Sequence, residues 1–183
     1  MKRIVMLVVV LVAAASVSGC TVISQNRMDE AIKDVPFPQL LQNTDRYEGE
    51  TVILGGRVIE VRNQADRTLV VVLQTPLGFG QEPKDADRSK GRFMLRSDQF
   101  LDPEVFEKGR PLTVAGRVVG TQRETIGEDP YTYPVLEVLE IHLWETEEER
   151  YRNYPYHPYY PYYPSPFYDP WYDRHPWRGY RYW

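Results

Sequence analysis

The sequence predicts an all-β domain, a small closed barrel of five strands with one or two short helices, followed by a disordered C-terminal tail. Three observations predict it. A strand motif with a glycine at its centre occurs twice, sixty residues apart. Further β-rich runs lie between and after the two copies, with a helix start before the second copy. Beyond residue 150 the composition changes abruptly to tyrosine, proline and tryptophan.

The repeat runs from Gly49 to Ile59 (GETVILGGRVI) and from Gly109 to Val119 (GRPLTVAGRVV). Gly56 and Gly116 sit inside the two runs, where a strand glycine marks a bulge or a bend at a barrel corner. Two copies are too few for a solenoid, which needs at least about three. Thr68 to Thr75 reads as a compact apolar strand, joined to the first by a turn at Asn63 to Asp66. Arg92 to Arg96 is a shorter strand. Tyr133 to Trp144 is a long one, with Val135, Leu139, Ile141 and Leu143 on one face and Glu140 and His142 on the other. Asp102-Pro103-Glu104 reads as a helix start, with Asp102 as N-cap and Pro103 where a missing N–H costs nothing. A second short helix is expected over Phe37 to Gln42. The order strand, strand, strand, short helix, strand, strand is that of an OB-like Greek-key barrel. A β-sandwich is the alternative, for which five strands are few.

The N-terminus carries a different signal. Lys2 and Arg3 precede an unbroken apolar run of twelve residues, Ile4 to Ala15. A membrane-crossing helix needs roughly 20 such residues, so the run fits a secretory signal peptide instead. It ends in Val17-Ser18-Gly19-Cys20, which resembles the lipobox of bacterial lipoproteins. The resemblance implies cleavage before Cys20 and acylation of that residue. Two or more acyl chains hold a protein firmly where one binds reversibly. Thr21 stands where an aspartate favours inner-membrane retention in lipoproteins, so the expected location is the outer membrane, lipid-anchored. Cys20 is the only cysteine, which leaves none for a disulfide.

The expected organisation is therefore a signal peptide over 1–19, the acylated cysteine and a polar tether over 20–34, the barrel domain over 35–146 and the tail over 147–183. Residues 20–150 hold 24 acidic and 16 basic side chains. That acidic balance, with no Lys/Arg stripe, argues against nucleic acid as a partner. No Ser/His/Asp order or Cys/His metal spacing is present, and His142 is the one histidine ahead of the tail. No catalytic residue, metal ligand or cofactor is expected, and no ligand-binding residue can be named. Glu147 to Glu149 read as consecutive solvated charges. Asp85 and Asp87 lie in a long polar loop, Gly78 to Lys90, read as a connection. Gly78-Phe79-Gly80 lacks the following helix start that a phosphate cradle needs.

From Phe37 to Trp144 the chain resembles the Slp family of outer-membrane lipoproteins. The resemblance rests on Gln39-Leu40-Leu41 with Asp45-Arg46-Tyr47-Glu48-Gly49, Leu54 to Ile59, Thr75-Pro76-Leu77, Gly91-Arg92-Phe93 with Phe100 to Pro103, and His142-Leu143-Trp144. It implies membrane attachment through lipid on Cys20 and a role in envelope stress or stationary-phase physiology. It implies no enzymatic activity, so the expected function is a non-enzymatic envelope interaction protein. The alternative is a glycan- or small-ligand-binding lipoprotein that uses the barrel surface. The tail departs from the family pattern, in which the domain ends near His-Leu-Trp.

Residues 151–183 hold eleven of the fourteen tyrosines, seven of the fifteen prolines and three of the four tryptophans. Proline fixes φ and biases its predecessor to extended geometry, so an extended, polyproline-like and disordered arm is expected. Amphipathic rings and four arginines suit contacts with other envelope proteins, glycans or lipid headgroups. His157 and His175 are a weak metal signal.

Overall fold

A computed structural model describes residues 22–33 and 35–153. Cys20, the apolar leader and the tail from Tyr154 onward lie outside those residues. The described chain contains α1 (Gln25–Glu30), α2 (Phe37–Gln42), a 3-10 turn (Thr44–Tyr47), β1 (Thr51–Asn63) and β2 (Thr68–Thr75). Two further 3-10 turns (Phe79–Gln81 and Ala86–Arg88) precede β3 (Arg92–Ser97), β4 (Pro111–Ile126), β5 (Asp129–Leu143) and α3 (Glu147–Asn153). The strands close into a barrel in the order β1-β2-β3-β5-β4, antiparallel except for the β3–β5 pairing. This is the expected five-stranded, OB-like architecture.

The barrel interior follows from the alternation of side chains along each strand. Val52, Leu54 and Val58 of β1, Val70 and Val72 of β2, Phe93 and Leu95 of β3, Leu112, Val114 and Val118 of β4 and Leu136 of β5 form one buried core. One mouth is plugged by α2, whose Phe37 and Leu40 join that core. The Phe37 and Phe93 rings lie 6.0 Å apart, and the Thr44 hydroxyl donates to the Leu40 carbonyl at 2.9 Å.

The two copies of the repeat are β1 and β4, and they pair with each other about a local two-fold axis. Thr51 faces Arg117 while Arg57 faces Pro111, so each pairing maps onto the other when the copies are exchanged. The Gly49 amide donates to the Val118 carbonyl at 2.8 Å, and its counterpart, the Gly109 amide, donates to the Val58 carbonyl at 2.8 Å. Both glycines have left-handed backbone, with φ of 87° and 92°. Only glycine enters that region without strain.

Bulges exist, but in the two copies of the repeat they fall three residues after the expected glycines. Register shifts leave Ile59 of β1, Val119 of β4 and Leu139 of β5 as extra residues. Ile59 and Val119 are equivalent positions of the repeat. Gly56 and Gly116 instead permit close approach. A Cβ on Gly56 would overlap the Leu73 carbonyl and Val72 Cγ1, and one on Gly116 would lie 2.9 Å from Leu136 Cβ.

Each bulge reverses which residues point inward. Ile141 and Leu143 pack on the core as expected, but before Leu139 the inward residues are Leu136 and Val138. Val135, expected on the same face as Ile141, therefore lies in a second cluster outside the barrel. The hairpin is also longer than the sequence predicts, with β4 and β5 paired out to Ile126 and Asp129. The one or two helical turns expected from Asp102 are a single turn: the Val105 and Phe106 amides donate to the Asp102 carbonyl at 3.0 and 2.9 Å. Asp102 still acts as a cap, its Oδ1 accepting the Glu104 amide at 2.9 Å. Phe106, rather than a longer helix, anchors this turn by being buried.

Candidate membrane-facing surface

Two outer faces of the barrel are covered, by different parts of the chain. On β2 and β3 the outward residues Leu69, Val71 and Met94 are buried, together with Tyr133 and Val135 of β5. The extended β4–β5 hairpin supplies Ile126 and Tyr131 to the same cluster. The Tyr131 hydroxyl accepts the Arg92 amide at 2.8 Å, and its ring meets Tyr133 edge-on at 4.7 Å. Across the top of this face Arg62 of β1 bridges Glu124 of β4 at 2.7 Å and Glu60 at 2.8 Å. The Arg62 guanidinium holds the Glu60 carboxyl below the usual carboxylate range, and the two carboxylates stabilise the charged guanidinium in turn. A polar hollow of about 270 Å³ remains beside the β1–β2 turn, lined by Gln64 and Arg67 of that turn, Arg96 of β3 and Thr121 and Gln122 of β4 among others.

The opposite face, over β1, β4 and β5, is covered by the chain's N-terminal segment and by the loop after β2. The expected polar tether is a packed structure from Val22 to Lys33. Ile23 is fully buried and Ala31 is nearly so. Ala31 bridges Thr51 in parallel, and the Ile32 amide donates to the Thr51 carbonyl at 2.9 Å. Glu140 of β5 grips the start of α1, its carboxylate accepting the Ser24 amide at 2.9 Å and the Ser24 hydroxyl at 2.6 Å.

The loop over Gly78 to Lys90 is ordered rather than a plain connection. Leu77 and Pro83 pair across its neck, and the Gly78 amide donates to the Glu82 carbonyl at 2.7 Å. Gly55 lacks the Cβ that would collide with Leu77, which lets the loop sit on β1. Gln81 clamps it in place. Its Oε1 accepts the Ile23 amide at 3.2 Å, its Nε2 contacts the Met28 sulfur, and its carbonyl accepts the Thr113 hydroxyl at 2.7 Å. Gln81 has φ of 68°, a left-handed conformation that costs a non-glycine residue about 1 kcal/mol or more. At the tip, Phe79 is 106 % exposed, the most exposed of the large apolar side chains described. Beside it a cleft of about 350 Å³ opens between the loop, α1 and β1, lined by Met28, Ile32, Leu40, Val52, Leu77 and Gln81 among others.

The C-terminal helix reaches the same loop. Thr146 and Glu149 form a capping box: the Thr146 amide donates to Glu149 Oε2 at 2.8 Å, and the Glu149 amide to the Thr146 hydroxyl at 3.1 Å. The Thr146 amide, with help from the Arg110 charge, holds the Glu149 carboxyl below its usual range. Arg150 then bridges Glu82 at 2.6 Å. Residues 147–153 are thus a helix, where a disordered exit is expected from composition. The signal for it, Thr146-Glu147-Glu148-Glu149, is present in the sequence. Phe79, set between two glycines in a polar loop, is likewise a legible anomaly that a search for phosphate cradles passes over.

His142 stacks edge-on against Trp144 at 4.8 Å, and the Trp144 indole donates to the Thr113 hydroxyl at 3.0 Å. His142 is half-buried, as expected. Asp85 precedes an exposed 3-10 turn and Asp87 lies within it, both exposed. Among the described residues no group of three or more His, Cys, Asp or Glu is placed to hold a metal. No helix among them is long and apolar enough to cross a membrane. Cys20, His157 and His175 lie outside the described residues.

Comparison with known proteins agrees with the family resemblance and extends it. The profile of the Outer membrane lipoprotein Slp family matches residues 17–178, which carries the match through most of the aromatic tail instead of ending near Trp144. The chain is 29% identical over 143 residues to the lipoprotein YeaY of Escherichia coli K12, covering 74% of this chain and 70% of that one. It is 28% identical over 133 residues to outer membrane protein Slp of the same organism, covering 72% and 70%. Among solved structures, a small single-stranded DNA-binding protein from Streptomyces coelicolor aligns with a TM-score of 0.34 and 14% identity, covering 51% of this chain and 93% of that one. At that TM-score the likeness has no bearing on function. With its barrel, its family profile and its relatives in agreement, the chain belongs to the Slp family of outer-membrane lipoproteins.

Proposed function

We propose that this protein is a non-enzymatic interaction component of the envelope, acylated on Cys20, which presents its aromatic arm beside the membrane. The observation that carries the reading is the convergence of both ends of the described chain on one loop. Ile23, three residues after Cys20, is bonded to Gln81, and Arg150, just before the aromatic arm, is bonded to Glu82. An anchor and an arm rooted on neighbouring residues keep the tyrosine and tryptophan rings within reach of lipid headgroups and of proteins on the same membrane. A stress-related role in the envelope accords with the family resemblance.

Mass spectrometry of the mature N-terminal peptide tests the anchor. Acyl groups on Cys20 are expected, and their loss in Cys20→Ser; an acylated Cys20→Ser protein would refute the assignment. Crosslinking in intact envelopes tests the arm. Deleting residues 154–183 is expected to abolish partner recovery while leaving the barrel folded, and unchanged recovery would remove the arm from the account.

The polar hollow beside the β1–β2 turn favours a second reading, glycan binding. Gln64, Arg67, Arg96 and Gln122 offer donors where OB barrels take oligosaccharides. Saturable binding on a glycan array that survives deletion of 154–183 would support it.

A further inference from the structure

We infer that the loop from Leu77 to Pro83 is a membrane-docking wedge, whose Phe79 ring inserts among the headgroups of the bilayer that holds the lipid anchor. The inference rests on the Cys20 anchor proposed above and adds a second, protein-borne contact with the same membrane.

Chain length argues for the bilayer as the occupant. From Cys20 to Ile23 there are three residue steps, which reach at most about 10 Å when extended. Ile23 is buried and its amide is bonded to Gln81, so that end of the link is fixed to the loop. Phe79 lies two residues from Gln81. Wherever Cys20 sits at the membrane surface, the loop is held within a few ångströms to about 20 Å of it. The interfacial layer of one leaflet is itself several ångströms thick.

The loop is built to present this side chain. Gly78 and Gly80 flank Phe79, and Gly80 takes φ of 70°. Gln81 holds a left-handed backbone conformation through three side-chain and backbone contacts, to Ile23, Met28 and Thr113. The Leu77–Pro83 bridge closes the neck. A flexible loop would let an apolar ring fold back onto the barrel, whereas these contacts keep it pointing outward, 106 % exposed. The cations near the tip suit an anionic interface. The Lys84 methylenes lie against Gly78, and Lys33 lines the adjoining cleft, both residues exposed. Long lysine stems can lie along the apolar layer with the ammonium at the phosphates. Glu82, which would oppose this, is engaged by Arg150.

The test uses the acylated full-length mature protein. Because acylation occupies Cys20, the only thiol, Phe79→Cys supplies a single free thiol for a fluorescent label. Glu128→Cys, at the exposed tip of the β4–β5 hairpin, serves as the control. Each variant is reconstituted on vesicles of phosphatidylethanolamine and phosphatidylglycerol that carry a nitroxide at the headgroup. Severalfold stronger quenching at 79 than at 128 is expected. Equal quenching on protein shown to be acylated would overturn the wedge and leave the anchor standing. Protein without acyl groups would overturn both. A label at 79 that is shielded from aqueous iodide without vesicles, and exposed once 154–183 are deleted, would make the aromatic arm the occupant and overturn the proposal.

Discussion

The two covered faces of the barrel are finished differently, and the difference lies in what each leaves exposed. Over β2 and β3 the cover is the barrel's own hairpin, which buries β2 on both sides from Thr68 to Val72 and ties itself down through Tyr131 and the Arg62–Glu124 pair. Over β1 and β4 the cover is a separate N-terminal segment and a clamped loop, with an apolar-lined cleft left open and a phenylalanine left fully outside. The hollow left on the first face is lined mainly by polar side chains. On the second face the ring is already presented and lacks only a surface.

That contrast can be broken most easily at the largest buried side chains. Tyr133→Ala removes a ring that is 2 % exposed from the hairpin-covered face, and a loss of about 3–5 kcal/mol is expected in urea denaturation. Ile23→Ala removes a fully buried side chain from the N-terminal cover and should cost about 2–4 kcal/mol. A cost near zero would return residues 22–33 to the status of a tether. Gly56→Ala forces a methyl against a backbone carbonyl and should cost about 1–3 kcal/mol. Its repeat counterpart Gly116→Ala meets mainly the Leu136 side chain and should cost less, so equal costs would contradict the different packing of the two copies.

The smallest effect concerns the ion pairs on the hairpin face. A double-mutant cycle on Arg62 and Glu124 should give a coupling of under about 1 kcal/mol, since both side chains are partly solvated. The pH dependence has a defined sign at Glu60, whose carboxyl Arg62 holds below its ordinary range. A depressed folded-state value means that the unfolded chain binds the proton more readily. Glu60 therefore stabilises the fold above about pH 4–5, and that contribution fades as pH falls through the folded-state value. Arg62→Ala should flatten that part of the profile.

Much of the barrel is legible because hydrophobic pattern and turn chemistry agree there. The limits of β2 and α2 coincide with the expected Thr68 to Thr75 and Phe37 to Gln42. Bulges are less legible, because Ile59, Val119 and Leu139 are ordinary strand residues whose role is set by the partner strand's register. The extended hairpin hides behind a polar run, Thr121 to Thr125, that resembles a loop until Tyr131 and Tyr133 are seen to anchor it. The N-terminal cover hides for a similar reason. A single buried isoleucine and a carboxylate on a distant strand, Glu140, convert a polar linker into structure. Phe79 stands out in the sequence, but its orientation depends on Gln81 and Ile23, which lie 58 residues apart.

Hydrogen exchange on the acylated full chain, with and without vesicles, tests the contrast between the faces most directly. Slower exchange on vesicles is expected over residues 22–33 and 77–83, with residues 119–133 unchanged. Protection of 119–133 with 77–83 unaffected would place the hairpin face against the membrane and contradict the account.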